Sequence, residues 1–422
     1  MKARIQVLLS FIVFRLVLEG CYTSLIVPNF AYMDMVLDRD ILRSVESWII
    51  LIIGATIVPA RLRRPGDFLI MLYVTLVLVP MTALLSLKPE PRAMMYLAVF
   101  ALILIRVVSL ISIKTIPVLM QGRQLLVLVS LLSFACTVSW IAISGSLQYF
   151  SLDITSVYDH RAIVSGYLYK GIFAYIIPLT YKVLTIALLV LMIIKRNWAI
   201  VVCIIALQVF LFGATLHKSA LFYPLLVLLV YLFMRQSSGQ WIFPAVMAIV
   251  VTLAWIYSAI TNDLFAASIF VRRAFFLPAE LNYVYYDYFS SFGYMYFSNN
   301  IGDLLIGDQF SHSPPTLISI YLTGTQEVNY NAGFLATGYM HLGMLGVLIY
   351  SIIAGLLIAL INGLSRGKKI WVPLALVIVS FATLYTTADL STTLLTHGMG
   401  MSLLMLWFLG NEDSAKSIQS SQ

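Results

Sequence analysis

Twelve apolar stretches leave this chain of 422 residues few ways to fold: 5–27, 45–60, 68–87, 93–113, 124–144, 172–194, 198–215, 219–234, 241–260, 334–363, 370–388 and 392–409. A bilayer core about 30 Å thick is crossed by roughly 20 apolar residues in a helix. Lipid offers the backbone no hydrogen-bond partner, so a spanning segment must satisfy its own N–H and C=O groups. Hydrophobic residues make up 61% of the chain and charged residues 10%, whereas a soluble domain carries about a quarter charged. The expected fold is therefore an all-α polytopic membrane protein. The second, eighth and last stretches are short, so about 12 transmembrane helices are expected, within a range of 11–13. No period of roughly 20 to 50 residues repeats, which argues against a solenoid or a duplicated transporter.

The stretches suggest four regions. Residues 1–260 form an N-terminal bundle of about nine spans, and 261–333 a large outer loop containing short amphipathic helices. Residues 334–410 return as C-terminal transmembrane helices, and 411–422 form a tail. "LEGC" places Cys21 after an apolar run, but Arg15 and Glu19 interrupt it, so 5–27 reads as a retained span rather than a cleaved signal. Cys21, Cys136 and Cys203 all sit in apolar runs without metal-ligand spacing. With the N-terminus inside, 14 of the 26 basic residues fall in inner connections, among them Lys2, Arg4, Arg61, Arg63, Arg64, Arg235 and Lys416. The acids there are Asp67, Glu412 and Asp413. The positive-inside rule supports this orientation and puts both termini in the cytoplasm. The net charge of +8 then reflects basic inner loops and gives no reason to expect nucleic acid.

The inner connections are short, while 28–44, 145–171 and 261–333 lie outside, where function is expected to concentrate. Eleven of the 26 residues from 272 to 297 are aromatic. Such residues form an interfacial belt or a stacking surface for sugar rings. Pro278 suits the first turn of a helix. Glu280 and Asp287, seven apart, would share one face with Tyr283 between them. Arg272 and Arg273 would then stand beside the helix N-terminus, where guanidinium forks and backbone N–H groups favour a pyrophosphate. A structural arginine–carboxylate network is the competing reading. Further outer cations are Arg161 and Lys170, with His160, in "DHRAIVSGYLYKG", and Lys218, with His217, in "LHKSALF". His312 in "IGDQFSHSPPTL" is a candidate proton carrier.

Charges inside spans need partners. Arg15 and Glu19 lie one turn apart and can pair with each other. Arg106 and Lys182 should face a polar interior, or pair with a carboxylate of another span. "DMVLDRD" (34–40) contains an Asp-x-Asp that can hold a divalent cation, although Arg39 and Arg43 can neutralise it; no metal is expected. Gly333, Gly338, Gly343 and Gly346 would let helices approach closely, with His341 packed among them.

The stretches "HKSALF" (217–222), "RRAFFLPAELNYVYYDYFS" (272–290) and "NAGFLATGYMHLGMLGVLIYSIIAGL" (331–356), on a layout of many spans and a dominant late outer loop, resemble the Wzy family of O-antigen repeat-unit polymerases. The resemblance implies a GT-C-like membrane glycosyltransferase of the bacterial inner membrane, working on the periplasmic side without a cofactor. It would move a growing glycan from undecaprenyl pyrophosphate onto another carrier-linked repeat unit. Its partners would be those lipid-linked oligosaccharides and membrane lipids, with room for a chain-length regulator. On that reading Arg161, Lys218, Arg272 and Arg273 hold the leaving pyrophosphate. Asp287, or else Glu280 or His312, takes the acceptor's proton, and Tyr283 and Tyr286 hold a sugar. A ligase delivering glycan to lipid A-core, or a flippase for lipid-linked glycans, are the alternatives.

Overall fold

The computed structural model describes residues 2–115, 121–153, 157–236, 239–298, 307 and 310–410. The expected tail, with Glu412, Asp413 and Lys416, lies outside the described residues, as do parts of the expected outer loop and the Arg235 side chain. The described residues are helical, with no strand; a lone antiparallel bridge joins Arg61 to Gly239. In chain order the helices are α1 Lys2–Phe30, α2 Ile41–Ile57, α3 Pro65–Leu87, α4 Arg92–Val108, α5 Gly122–Ile143, α6 Val157–Leu168, α7 Phe173–Ile194 and α8 Trp198–Thr215. They continue with α9 Lys218–Gln236, α10 Ile242–Thr261, α11 Leu277–Phe292, α12 Pro314–Thr323, α13 Phe334–Leu364, α14 Trp371–Thr386, α15 Leu390–Leu395 and α16 Met399–Phe408.

The expected apolar stretches coincide for most of their length with helix, and seven helices among the described residues are long and apolar enough to cross a membrane: α1, α3, α5, α7, α8, α10 and α13. Two of the other expected stretches are interrupted for local reasons. Val58 is extended ahead of Pro59, which stops α2 after 17 residues. The final stretch is not one helix: Gly398, at φ 84°, separates α15 from α16.

Contacts divide the chain into two units. The first comprises 1–112, 238–359 and 382–390; the second comprises 113–237, 360–381 and 391–422. In the first, α3 is the central helix, almost wholly buried, and it packs on α1, α2 and α11. In the second, α7 is central and packs on α5, α8 and α9.

Prolines shape several of these helices. The π-helical turns Tyr22–Ile26, Val74–Leu78 and Ser268–Phe276 each end two residues before a proline: Pro28, Pro80 and Pro278. A proline lacks the N–H for the regular ladder and its ring crowds the preceding turn; a widened turn relieves both. Pro278 therefore does not begin a helix, as its fixed φ suggests. It continues one, and Arg272 and Arg273 lie within the π-helical part rather than ahead of a free N-terminus.

The glycine-rich helix α13 is also not continuous. Leu342 and Gly343 leave helical geometry, Gly343 at φ 60°. The break frees carbonyls: Met340 and His341 accept from the N–H groups of Met295 and Tyr296, at 2.9 and 3.1 Å. Gly338 and Gly346 thus face each other across a kink in one helix, while Gly333 meets another segment. A Cβ on Gly333 would lie 2.3 Å from the Tyr385 carbonyl oxygen, which as backbone cannot yield. Gly333→Ala is expected to destabilise the protein by about 1–3 kcal/mol through overpacking, measurable as a lower unfolding temperature in detergent. An unchanged temperature would contradict that contact.

Candidate functional site

The helix α11 carries the densest chemistry in the first unit. Its N-terminal half, Pro278 to Tyr285, is buried against α3 and α4, and its C-terminal half emerges. Glu280 and Asp287 consequently share a side of the helix but not a depth: Glu280 is buried and Asp287 exposed. The sequence spacing reveals the common face; only packing tells where the helix leaves the bundle.

Glu280 does not stand alone. Lys88, which caps the C-terminal end of α3, places Nζ 2.6 Å from Glu280 Oε1, 3.0 Å from Glu90 Oε1 and 2.9 Å from Asp34 Oδ2. It also donates to the Asp34 carbonyl at 3.1 Å. The Lys88, Glu90 and Glu280 side chains are nearly excluded from solvent, while Asp34 lies at the surface. One ammonium thus faces three carboxyl groups. Burial, then the Glu280 charge, lifts Glu90 well above the usual carboxylate range, and burial also raises Glu280. Two buried carboxyls facing one ammonium disfavour ionisation of both, and Glu90, the more strongly raised, is the one pushed toward its protonated form. Burial disfavours the Lys88 charge, but Glu280 and Glu90 outweigh it and hold the ammonium above its usual value. Partial desolvation raises Asp287 as well.

This buried proton has a measurable consequence. A carboxyl whose folded pKa is raised contributes stability that is complete below the unfolded value of 4.5 and is lost as pH rises toward the folded value. Glu90→Gln keeps a hydrogen-bond donor and cannot ionise. Its unfolding temperature should vary less than wild type between about pH 5 and 8, and should exceed wild type at the upper end. Parallel profiles would show that Glu90 is already ionised.

The expected residues fall as follows. Arg272 is buried, its guanidinium 4.6 Å from the Phe30 ring centroid and donating to Ser268 Oγ and Met33 Sδ at 2.9 Å each. Arg273, next to it, is exposed. Tyr283 is wholly buried and donates its hydroxyl to the Met81 carbonyl, so its surface is turned to protein. Tyr286 is partly accessible, its ring 4.7 Å from that of Tyr339, which in turn hydrogen-bonds Ser290 at 2.9 Å. His312 is partly buried just ahead of α12. Of the eleven aromatics, Phe275, Phe276, Tyr283, Tyr285 and Phe289 are core. His341 is packed as expected, accepting from the Phe297 N–H at 3.2 Å and stacking on that ring. Arg15 pairs with Glu19 at 2.7 Å, and Arg106 with Asp67 of another helix at 3.3 Å. In "DMVLDRD", Asp34 serves Lys88, and Asp40 caps α2 by accepting from the Leu42 N–H.

The second unit holds Arg161 and Lys218. Arg161 is exposed on α6, and Lys218 opens α9, partly buried. His217 precedes it, stacked on Tyr181 and edge-on to Tyr169. Burial, then the positive charges of Arg161 and Lys182, pushes its imidazole down to about 4, so it is neutral near pH 7. Arg161, Lys182 and His217 are thus within electrostatic reach of one another. Lys182 lines a small, mostly apolar cavity in which Tyr223, Ser380 and His397 are the other polar side chains.

Sequence reasoning missed Lys88 and Glu90. "LKPEPR" (87–92) reads as an ordinary outer turn, and only its nearness to Glu280, 192 residues away from Lys88, gives it meaning. Comparison with protein-family models, with curated proteins and with solved structures finds no match to this chain.

Proposed function

We propose that this chain is a membrane glycosyltransferase of the Wzy-like polymerase kind, transferring a growing glycan from undecaprenyl pyrophosphate to a carrier-linked repeat unit. The observation that carries this reading is the make-up of one helix: α11 sets exposed Asp287 beside Tyr286 and Ser290, downstream of Arg272 and Arg273, and is anchored by Glu280 on Lys88. The basic-loop bias supports about twelve spans with both termini in the cytoplasm, which puts α11 on the periplasmic side of the bacterial inner membrane.

In the proposed reaction, the acceptor sugar hydroxyl attacks the anomeric carbon of the donor glycan. The bond from that carbon to the pyrophosphate oxygen breaks, and undecaprenyl pyrophosphate leaves with the electron pair. Asp287 takes the hydroxyl proton; its partly desolvated carboxylate is a stronger base than a fully solvated one. Arg272 and Arg273 offset the charge developing on the leaving group. Tyr286 stacks on the sugar, and Tyr283 buttresses it from within. Glu280 holds α11 in place rather than acting as base, because its carboxylate is committed to Lys88.

The test is reconstitution of the purified protein in liposomes with lipid-linked repeat units. Products lengthened by whole repeats are expected. Glycan that crosses the bilayer without lengthening would replace this reading with a flippase, and transfer only to added lipid A-core would replace it with a ligase.

A further inference from the structure

Six cationic side chains of the first unit line one cavity of about 590 Å³: Lys2, Arg4, Arg61, Arg63, Arg64 and Arg106. They come from the start of α1, the connection from α2 to α3, and the last turn of α4. Basic-loop bias accounts for cations at these helix ends, but not for their convergence on one hollow. Among the described residues lining it, Asp67 is the sole carboxylate, and it is already engaged. Its Oδ2 accepts from the Arg63 and Arg64 backbone N–H groups at 3.0 and 2.9 Å, and its Oδ1 faces Arg106 at 3.3 Å.

The surrounding backbone is fixed. Arg4 donates to the Val58 carbonyl at 3.1 Å and to the Thr56 carbonyl, closing the C-terminal end of α2. The Arg61 bridge to Gly239 and the Asp67 cap hold the connection on either side. Arg61, Arg63 and Arg64 therefore stand exposed around a prepared space, where their like charges repel one another. Guanidinium forks fit phosphate oxygens in pairs, and the cavity opens where helices end, the level of lipid headgroups.

We propose that this cavity binds a phosphate-bearing anion, supplied by an anionic phospholipid headgroup or by a soluble phosphate compound, at the end of the bundle remote from α11. The site is independent of the glycosyltransferase reading. It is tested with the full chain in phosphatidylcholine nanodiscs doped with phosphatidylglycerol, scoring lipid retention by native mass spectrometry. A parallel arm titrates inorganic pyrophosphate by calorimetry in undoped nanodiscs. Binding is expected in at least one arm, and the arm identifies the source. The combined Arg61→Gln, Arg63→Gln and Arg64→Gln variant should lose at least about tenfold in affinity. Arg63→Gln alone, which keeps the N–H bonded to Asp67, should weaken binding several-fold if the triple variant does not fold. Binding in neither arm, or unchanged binding in the variant that folds, overturns the proposal.

Discussion

Lys88→Met is expected to destabilise the protein by about 3–5 kcal/mol, the usual result of removing one partner from a buried ionic group. Among the described residues, Lys88 alone supplies an ammonium within contact of Asp34, Glu90 and Glu280, and the two glutamates have almost no access to water. The methionine fills similar space, so the loss is electrostatic rather than a cavity. Its pH dependence identifies the cause. Stranded carboxyls have folded pKa values raised above their unfolded ones, so the variant should be most stable in acid. It should fall away as pH rises through the folded values. Unfolding temperatures of both proteins at about pH 5 and 8 check this, with the deficit expected to widen at the higher pH. Equal deficits at both would mean that lost packing, not charge, dominates.

Arg273→Ala is expected to slow glycan lengthening roughly a hundredfold, about 3 kcal/mol in transition-state stabilisation, if it steadies the departing pyrophosphate. Arg273 is the cleaner probe of the pair because its side chain is exposed. Arg272→Ala should also abolish long chains, but Arg272 packs on Phe30 and Ser268, so its truncation removes buried contacts too. Arg273→Lys retains the charge but not the fork and should fall between wild type and alanine. The measurement is the product ladder from liposomes containing equal amounts of inserted protein. Wild-type chain lengths from Arg273→Ala would remove this residue from the proposed chemistry.

Much of the helical layout was legible in residues 5–27, 68–87 and their counterparts, because apolar length and backbone satisfaction are local properties. Arg15 with Glu19 was legible for the same reason, since one helical turn separates them. The interruptions were harder to read. Proline at 278 pointed to a helix start, yet the chain widened into a π-helical stretch and continued; the choice depends on whether packing holds the preceding turn. Gly343 marked close approach, but nothing local showed that it would break its own helix and give carbonyls to Met295 and Tyr296.

Hydropathy by itself therefore determined that this chain is helical and suited to a membrane, since each span satisfies its own backbone and needs no distant residue to do so. Tertiary structure alone decided which charges meet. Lys88 acquires three carboxyl neighbours, Asp67 is saturated so that arginines surround an open hollow, and Glu280 is buried while Asp287 is not. The physical reason is range. A helix is written in contacts four residues apart, whereas a buried ion must find its counterion wherever packing brings one.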